Sequence, residues 1–357
     1  MEDIQRLKKD YPWIQTPLVV GAPMRLIALA DMAVEISKAG GIGFIGAGTD
    51  VSNLSTQLQN AQRLLSATQL PTAPGLPIGI GFINWGAELS VAMPLVAQYK
   101  PAAVWFFAPA SLASLREWTA QARAASPATK VWVQVGSVAQ ALATVAAAAP
   151  DVLVVQGTDA GGHGLAQGAG LIALLPEVVD ALRCRSRAAT PARGETHSPV
   201  VLAAGGLADA RSLLATLCLG AAGIVLGTRL LASPEANISQ GYKDEILRAC
   251  DGGQSTARTK VYDRLRGTNW AESHNARGLI NRSFVDAQGG MPWEENTRLY
   301  REEEGKGDQG WGVEGRMTTY AGSAVGLVKQ IQPVGDIVRE VREGVGAVMG
   351  KLPQLLQ

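Results

Sequence analysis

The stretch Val152–Leu165 reads VLVVQGTDAGGHGL: a short apolar run that ends in glycines and carries Asp159 and His163, one of three histidines in the chain. Imidazole is the side chain whose ordinary pKa lies nearest neutrality. In a loop where glycines let a ligand approach, it is suited to be the base for a moderately acidic C–H. Asp159 is placed either to orient that ring or to cap the loop. His197, in a polar stretch, and His274, between Ser273 and Asn275, read as solvated or structural.

Two further sets of residues suit a bound cofactor. Gly205-Gly206 and Gly227-Thr228 each follow an apolar run. At the ends of late strands in a barrel, such glycines offer backbone N–H groups to a phosphate, and the Thr228 hydroxyl adds a donor. Met24 behind Ala22-Pro23, Asn84, Gln134 and Gln156 form an uncharged set. Amides of this kind match the donor and acceptor edge of a flavin ring, which carries no full charge. Each feature also has a plainer reading, as a turn glycine or a satisfied buried amide. No metal is expected: the sequence has no HxxxH or HExxH, no calcium-loop spacing, and Cys184, Cys218 and Cys250 form no CxxC pair. There is no GxSxG nucleophile elbow, and the loop after Gln156 holds no cysteine. Gly41–Gly46, GIGFIG, matches the dinucleotide fingerprint in form, but it follows a helical stretch and runs into a strand, so it reads as an αβ turn.

These residues must be positioned by a repeating framework. Apolar β-rich runs at Leu18–Gly21, Ile42–Ile45, Ile78–Phe82, Val104–Phe107, Val131–Val135, Val152–Gln156, Val200–Ala204 and Ile224–Leu226 predict eight strands. Amphipathic stretches at Met32–Ala39, Ala87–Tyr99, Leu112–Ala125, Val138–Ala149, Leu171–Arg183 and Ala208–Leu219 predict helices between them. The alternation implies a parallel sheet. A doubly wound sheet is the alternative to a (β/α)8 TIM barrel, and the barrel is preferred because the unusual residues cluster just after the strands, where a barrel brings them to one rim. The expected division is a barrel over 1–233, a smaller, mostly helical cap over 234–320 with Trp270, Trp293 and Trp311 above the mouth, and a C-terminal helical segment over 321–357 returning to the barrel. Tyr242–Ala249 reads as a cap helix, and Val325–Met349 as an amphipathic helix that Pro333 interrupts near its start. Cys184–Ser198 reads as an exposed, mobile polar loop.

The bulk numbers narrow the function classes. The chain has 357 residues, 47% of them hydrophobic, ample for a buried core, and 32 basic against 31 acidic residues. A formal charge of +1 offers no basic face for nucleic acid or an anionic membrane, so a small-molecule partner is expected. Three unpaired, widely spaced cysteines suit a reducing compartment. The beginning, MEDIQRLKKDYPW, lacks a signal peptide's apolar run, no segment offers about 18 uncharged apolar residues, and the ending lacks a peroxisomal tripeptide, so a cytoplasmic location is expected. Homodimerisation is left open.

Taken together and in order, GAPM at Gly21–Met24, KAGGIGFIGAG at Lys38–Gly48, GFIN at Gly81–Asn84, VVQGTDAGGHG at Val154–Gly164, AAGGLAD at Ala203–Asp209, GIVLGTRLLASPEA at Gly223–Ala236 and YAGSAVGLVKQIQP at Tyr320–Pro333 resemble the nitronate monooxygenases, formerly 2-nitropropane dioxygenases. The resemblance implies an FMN-dependent barrel that oxidises alkyl nitronates, or nitroalkanes, with O2 to carbonyl compounds and nitrite. By it, Asn84, Gln156, Gly161, Gly206 and Val225-Leu226-Gly227-Thr228 match FMN-contacting positions, and Ala22 to Met24 resemble the first-strand lining. His163 matches the catalytic histidine, acting as base on a neutral nitroalkane or positioning the anionic nitronate. Gly205 and Gln134 join the cofactor set on the residue argument alone. An FMN-dependent NAD(P)H:quinone or enoyl reductase on the same scaffold, and a non-catalytic barrel, remain alternatives. A cofactor-free aldolase or isomerase would need a lysine or a carboxylate pair at the rim, and Lys130 starts its strand at the wrong end.

Overall fold

The computed structural model describes residues 2–72, 74–188, 198–351 and 353. Its strands are β1 (Leu18–Gly21), β2 (Phe44–Gly48), β3 (Gly79–Ile83), β4 (Ala103–Phe107), β5 (Lys130–Val135), β6 (Val152–Gln156), β7 (Gly162–Leu165), β8 (Val200–Ala204), β9 (Gly223–Leu226), β10 (Thr256–Thr259) and β11 (His274–Leu279). Eight of them form a parallel sheet in the order β1-β9-β8-β6-β5-β4-β3-β2. A parallel bridge from Val20 to Ile42 returns the last strand to the first. The chain is a (β/α)8 TIM barrel with a smaller, mostly helical cap.

The expected barrel strands are all present, and the ends shift by a few residues. β2 starts at Phe44 rather than Ile42 because the turn after helix Ala30–Lys38 is still being closed there: Gly41 N–H donates to Ile36 O at 3.0 Å and Gly43 N–H to Ser37 Oγ at 3.2 Å. Gly41 and Gly43 of GIGFIG thus belong to an αβ turn, and Gly46 lies within β2. Helix starts are fixed locally. Ser111 caps Leu112–Ala125 through the Ser114 N–H, Ser137 caps Val138–Ala148 through the Gln140 N–H, and Asp209 with Ser212 closes a capping box on Ala210–Cys218.

Period-2 alternation sorts the strand residues. Val104, Phe106, Val131 and Val133 pack outward with the helices, whereas Trp105, Trp132, Val154, Leu202 and Val225 fill the barrel interior. Trp105 and Trp132 stack with ring centroids 5.8 Å apart, and Phe44 meets Trp105 edge-on at 5.2 Å. Each such buried side chain stabilises the interior by roughly 1.5–3 kcal/mol.

The cap contains helices Gln240–Arg248, Val261–Leu265, Arg282–Gln288 and Trp293–Glu304. It also contains a three-stranded antiparallel sheet, β10-β11-β7, whose third strand comes from the barrel. The glycine-rich loop after β6 is therefore itself a strand, with His163 opposite Ala276 of β11. The amphipathic run expected from Val325 is split: a 3-10 turn at Ser323–Leu327 precedes the helix Val334–Met349. Pro333 stands at that helix's N-cap, where its missing N–H costs nothing, and Ile331 lies outside the helix, 37% exposed. Val334, Ile337, Val338, Val341 and Val345 are buried on the barrel's helical layer. The expected polar loop at Cys184–Ser198 begins as helix, since Leu171–Ala188 is helical, and residues 189–197, His197 among them, lie outside the described residues, as do the last four. No helix among the described residues is long and apolar enough to cross a membrane.

Candidate active site

The C-terminal ends of the barrel strands and the cap enclose a cavity of about 690 Å³, within the range of small-molecule sites. Its floor is the top interior layer of the barrel: Trp105, Gln134, Gln156, Ala204 and Val225 all line it, as do Ala22, Pro23 and Met24. Trp105 Nε1–H donates to Gln134 Oε1 at 3.2 Å, and Gln156 Nε2–H donates to His163 O at 3.4 Å. Each glutamine thereby has one half of its amide fixed by the fold and the other half left for a ligand. Asn84 is not itself on the lining; it is buried between Ile83 and Trp85, which are. Its Oδ1 accepts the Phe107 N–H at 2.9 Å, and its Nδ2 is buried without a partner among the described residues.

The glycine loops occupy another part of the wall. Gly205 and Gly206 have φ of +98° and +73° and pack so tightly on the 157–160 loop that a Cβ at Gly206 would lie 2.8 Å from Asp159 Cβ. Their glycine identity serves the backbone. Gly227 differs: a Cβ there would meet nothing nearer than Ala22 Cβ at 3.8 Å. Among the described residues no acceptor takes the N–H of Gly205, Gly206 or Gly227. Thr228 Oγ1 accepts the Gly322 N–H at 2.9 Å and keeps its own hydroxyl hydrogen to donate. These free donors, with the half-used amides, fit a group that joins an anionic phosphate to a flat, uncharged, hydrogen-bonding ring.

Two of the expected contact residues are placed differently from the rest. Leu226 is fully buried in the layer between strands and helices, because alternation along β9 turns it away from Val225's side. Gly161 lines the cavity, but what approaches it closely is the backbone of Ala321 and Gly322, so its missing side chain makes room for the C-terminal segment.

His163 stands on the wall nearest the cap. Its Nε2 lies 2.7 Å from Asp263 Oδ1, and its ring is stacked on Trp270 with centroids 3.9 Å apart and planes 12° from parallel. Asp159, the carboxylate nearest in sequence, is turned elsewhere: its Oδ1 accepts the Ser323 hydroxyl at 2.9 Å and its carbonyl accepts the Ser323 N–H at 2.9 Å. It ties the loop to the C-terminal segment.

The nitronate monooxygenase family profile matches residues 95–344. A nitronate monooxygenase of Metarhizium robertsii is 46% identical over 97% of this chain and 95% of that one. One from Neurospora crassa is 36% identical, over 95% of this chain and 92% of that one. The chain belongs to the nitronate monooxygenase family. FabK from Thermotoga maritima shares the fold, with a TM-score of 0.73 at 24% identity and 98% of each chain covered.

A flavin is characteristic of the nitronate monooxygenases, and the free amide and N–H groups described above are the kind a flavin requires. Residues absent from the sequence-based set complete the site of this family member. Arg25, Arg266, Trp85, Phe107, Trp270, Trp311 and Tyr320 all line the cavity. Trp293 does not; it lies under the Arg264 guanidinium at 3.9 Å on another face of the cap. Burial pushes the Tyr320 phenol up to about 12, and its hydroxyl is buried without a partner among the described residues. Burial, then the proximity of His163, holds His274 down to about 4, so His274 is neutral at pH 7. The cap sheet grips the loop from behind: Arg258 donates to Ala160 O at 3.3 Å and Arg277 to Thr158 O at 3.1 Å.

Proposed function

We propose that this protein is an FMN-dependent monooxygenase that oxidises alkyl nitronates, and nitroalkanes after deprotonation, with O2 to carbonyl compounds and nitrite. The observation that carries the reading is the placement of His163: a carboxylate-held imidazole on the wall of a cavity whose floor offers half-used amides, in a chain of this family.

FMN is favoured because the free N–H groups of Gly205, Gly206 and Gly227, with the Thr228 hydroxyl, suit one terminal phosphate. Ala22 to Met24, Gln134, Gln156 and Val225, which line the cavity, would hold the ring, with Asn84 buried between the lining residues Ile83 and Trp85. When bound, the flavin supplies the electron acceptor for the nitronate and the reactivity toward O2.

The chain's own residues do the rest. His163 accepts the proton of a neutral nitroalkane, or as imidazolium stands beside the anionic nitronate. Arg25, Arg266 and Glu304 are the other fully charged side chains of the lining, a balance that favours an anion. Trp85 and Trp270, with ring centroids 5.5 Å apart, and Phe107, 5.8 Å from Trp270, keep bulk water from the reacting carbon.

The test is the purified protein's visible spectrum, mass spectrometry of the cofactor released on denaturation, and nitrite release from a panel of nitronates. FMN and nitrite are expected. Fast anaerobic bleaching by NADH, with no nitrite from any nitronate, overturns the reading in favour of a reductase.

A further inference from the structure

We propose that Asp263 is the positioning residue for His163, holding the ring proton on Nε2 so that Nδ1 is the base that faces the substrate. The proposal rests on the monooxygenase reading above for what the base acts on, and on geometry for the tautomer.

Asp263 is 2% exposed, on the short helix Val261–Leu265, a hundred residues from the histidine it meets. Its Oδ1 receives two groups: His163 Nε2 at 2.7 Å and the Thr268 hydroxyl, which donates at 3.0 Å. Its Oδ2 is buried with no partner among the described residues. An ionised carboxylate can only accept, so the hydrogen between the two groups belongs to Nε2. Nδ1 makes no hydrogen bond among the described residues, and the ring lines the cavity. Trp270, parallel at 3.9 Å, restricts the ring to this plane.

A half-paired buried carboxylate is unfavourable for folding, and a role in the reaction accounts for it. When a nitroalkane C–H gives its proton to Nδ1, the bonding pair stays with the carbon and spreads into the nitro group as nitronate. His163 becomes an imidazolium whose Nε2–H still points at Asp263. Nothing is oxidised in that step. The buried carboxylate and the face of Trp270 both stabilise the cation as it forms.

The test combines nitrogen-15 NMR of the flavin-loaded protein with kinetics on two forms of one substrate. In the wild type the His163 signals, identified by their loss in His163→Asn, should show the proton on Nε2. In Asp263→Asn the new amide can donate to Nε2, and the proton should move to Nδ1. That variant should lose kcat on the neutral nitroalkane by roughly 10²–10⁴-fold, with KM and nitronate turnover changed by less than about tenfold. A wild-type proton on Nδ1 overturns the proposal, whether or not Asp263→Asn folds. Flavin-loaded Asp263→Asn that keeps neutral-substrate turnover within about threefold also overturns it. Failure of the functional reading looks different: no nitrite from any nitronate, with the Nε2–H tautomer still in place.

Discussion

The two ends of the barrel are made by the same eight strands and treat buried polar groups in opposite ways. At the N-terminal end, Trp132 Nε1–H donates to the Tyr11 hydroxyl at 2.6 Å, Tyr11 is 1% exposed, and Lys130 pairs with Asp10 at 2.9 Å. At the mouth, Asn84 Nδ2, Arg25 Nε, Asp263 Oδ2 and the Tyr320 hydroxyl are buried without partners among the described residues. Leaving such a group unsatisfied costs about 1–3 kcal/mol, so the mouth gives up stability that the closed end retains. The difference separates what the fold needs from what a ligand needs.

The sharpest way to break that separation is to alter the mouth without touching the floor. His163→Asn should keep the flavin and the fold while turnover of neutral nitroalkanes falls by roughly 10²–10⁴-fold, with nitronates affected less. Steady-state nitrite release on both substrate forms, alongside the flavin absorbance, decides it. Equal rates on both in the variant and the wild type remove His163 from the chemistry.

The opposite change comes next in size. Tyr11→Ala opens a cavity under Trp132 and strips its N–H of a partner. It should destabilise the protein by about 3–5 kcal/mol in urea, while the folded fraction retains its flavin and its kcat. A variant of full stability that has lost the flavin would show that the two ends are coupled.

The same contrast explains what could be read in the residues alone. The barrel was legible because β4, β5, β6 and β8 are runs of β-branched and aromatic residues closed by turn signals, and because alternation lifts Gln134 and Gln156 to the top of the interior. The Leu226 side chain packs away from Val225's side because a strand of period two cannot present a contiguous motif as one surface. The strand character of Gly162–Leu165 was hidden, since GHGL has no β pattern of its own and is extended by pairing with β11, more than a hundred residues on. Asp263 was invisible for the same reason: its value lies in a contact with His163 that no local spacing encodes, while Asp159, only four residues from the histidine, ties down the loop instead.

Glycines at the mouth give the finest test, because the fold and the ligand both have claims on them. Gly205 takes φ +98°, and a Cβ there would lie 2.9 Å from Gly157 O, so alanine at 205 should strain the backbone whatever is bound. Gly227 takes φ −118° with open space where a side chain would be. Gly227→Ala should therefore lower stability by no more than about 1 kcal/mol, the cost of replacing glycine by the poorer N-cap residue alanine. The added methyl group projects into the space assigned to the phosphate, where crowding a packed contact costs about 1–3 kcal/mol, enough to weaken flavin binding by roughly tenfold or more. Fluorescence titration of the apoprotein with FMN, beside a urea melt of the same sample, reads both quantities. Unchanged affinity with unchanged stability would move the phosphate away from Gly227, and the free N–H groups of Gly205 and Gly206 would have to hold it alone.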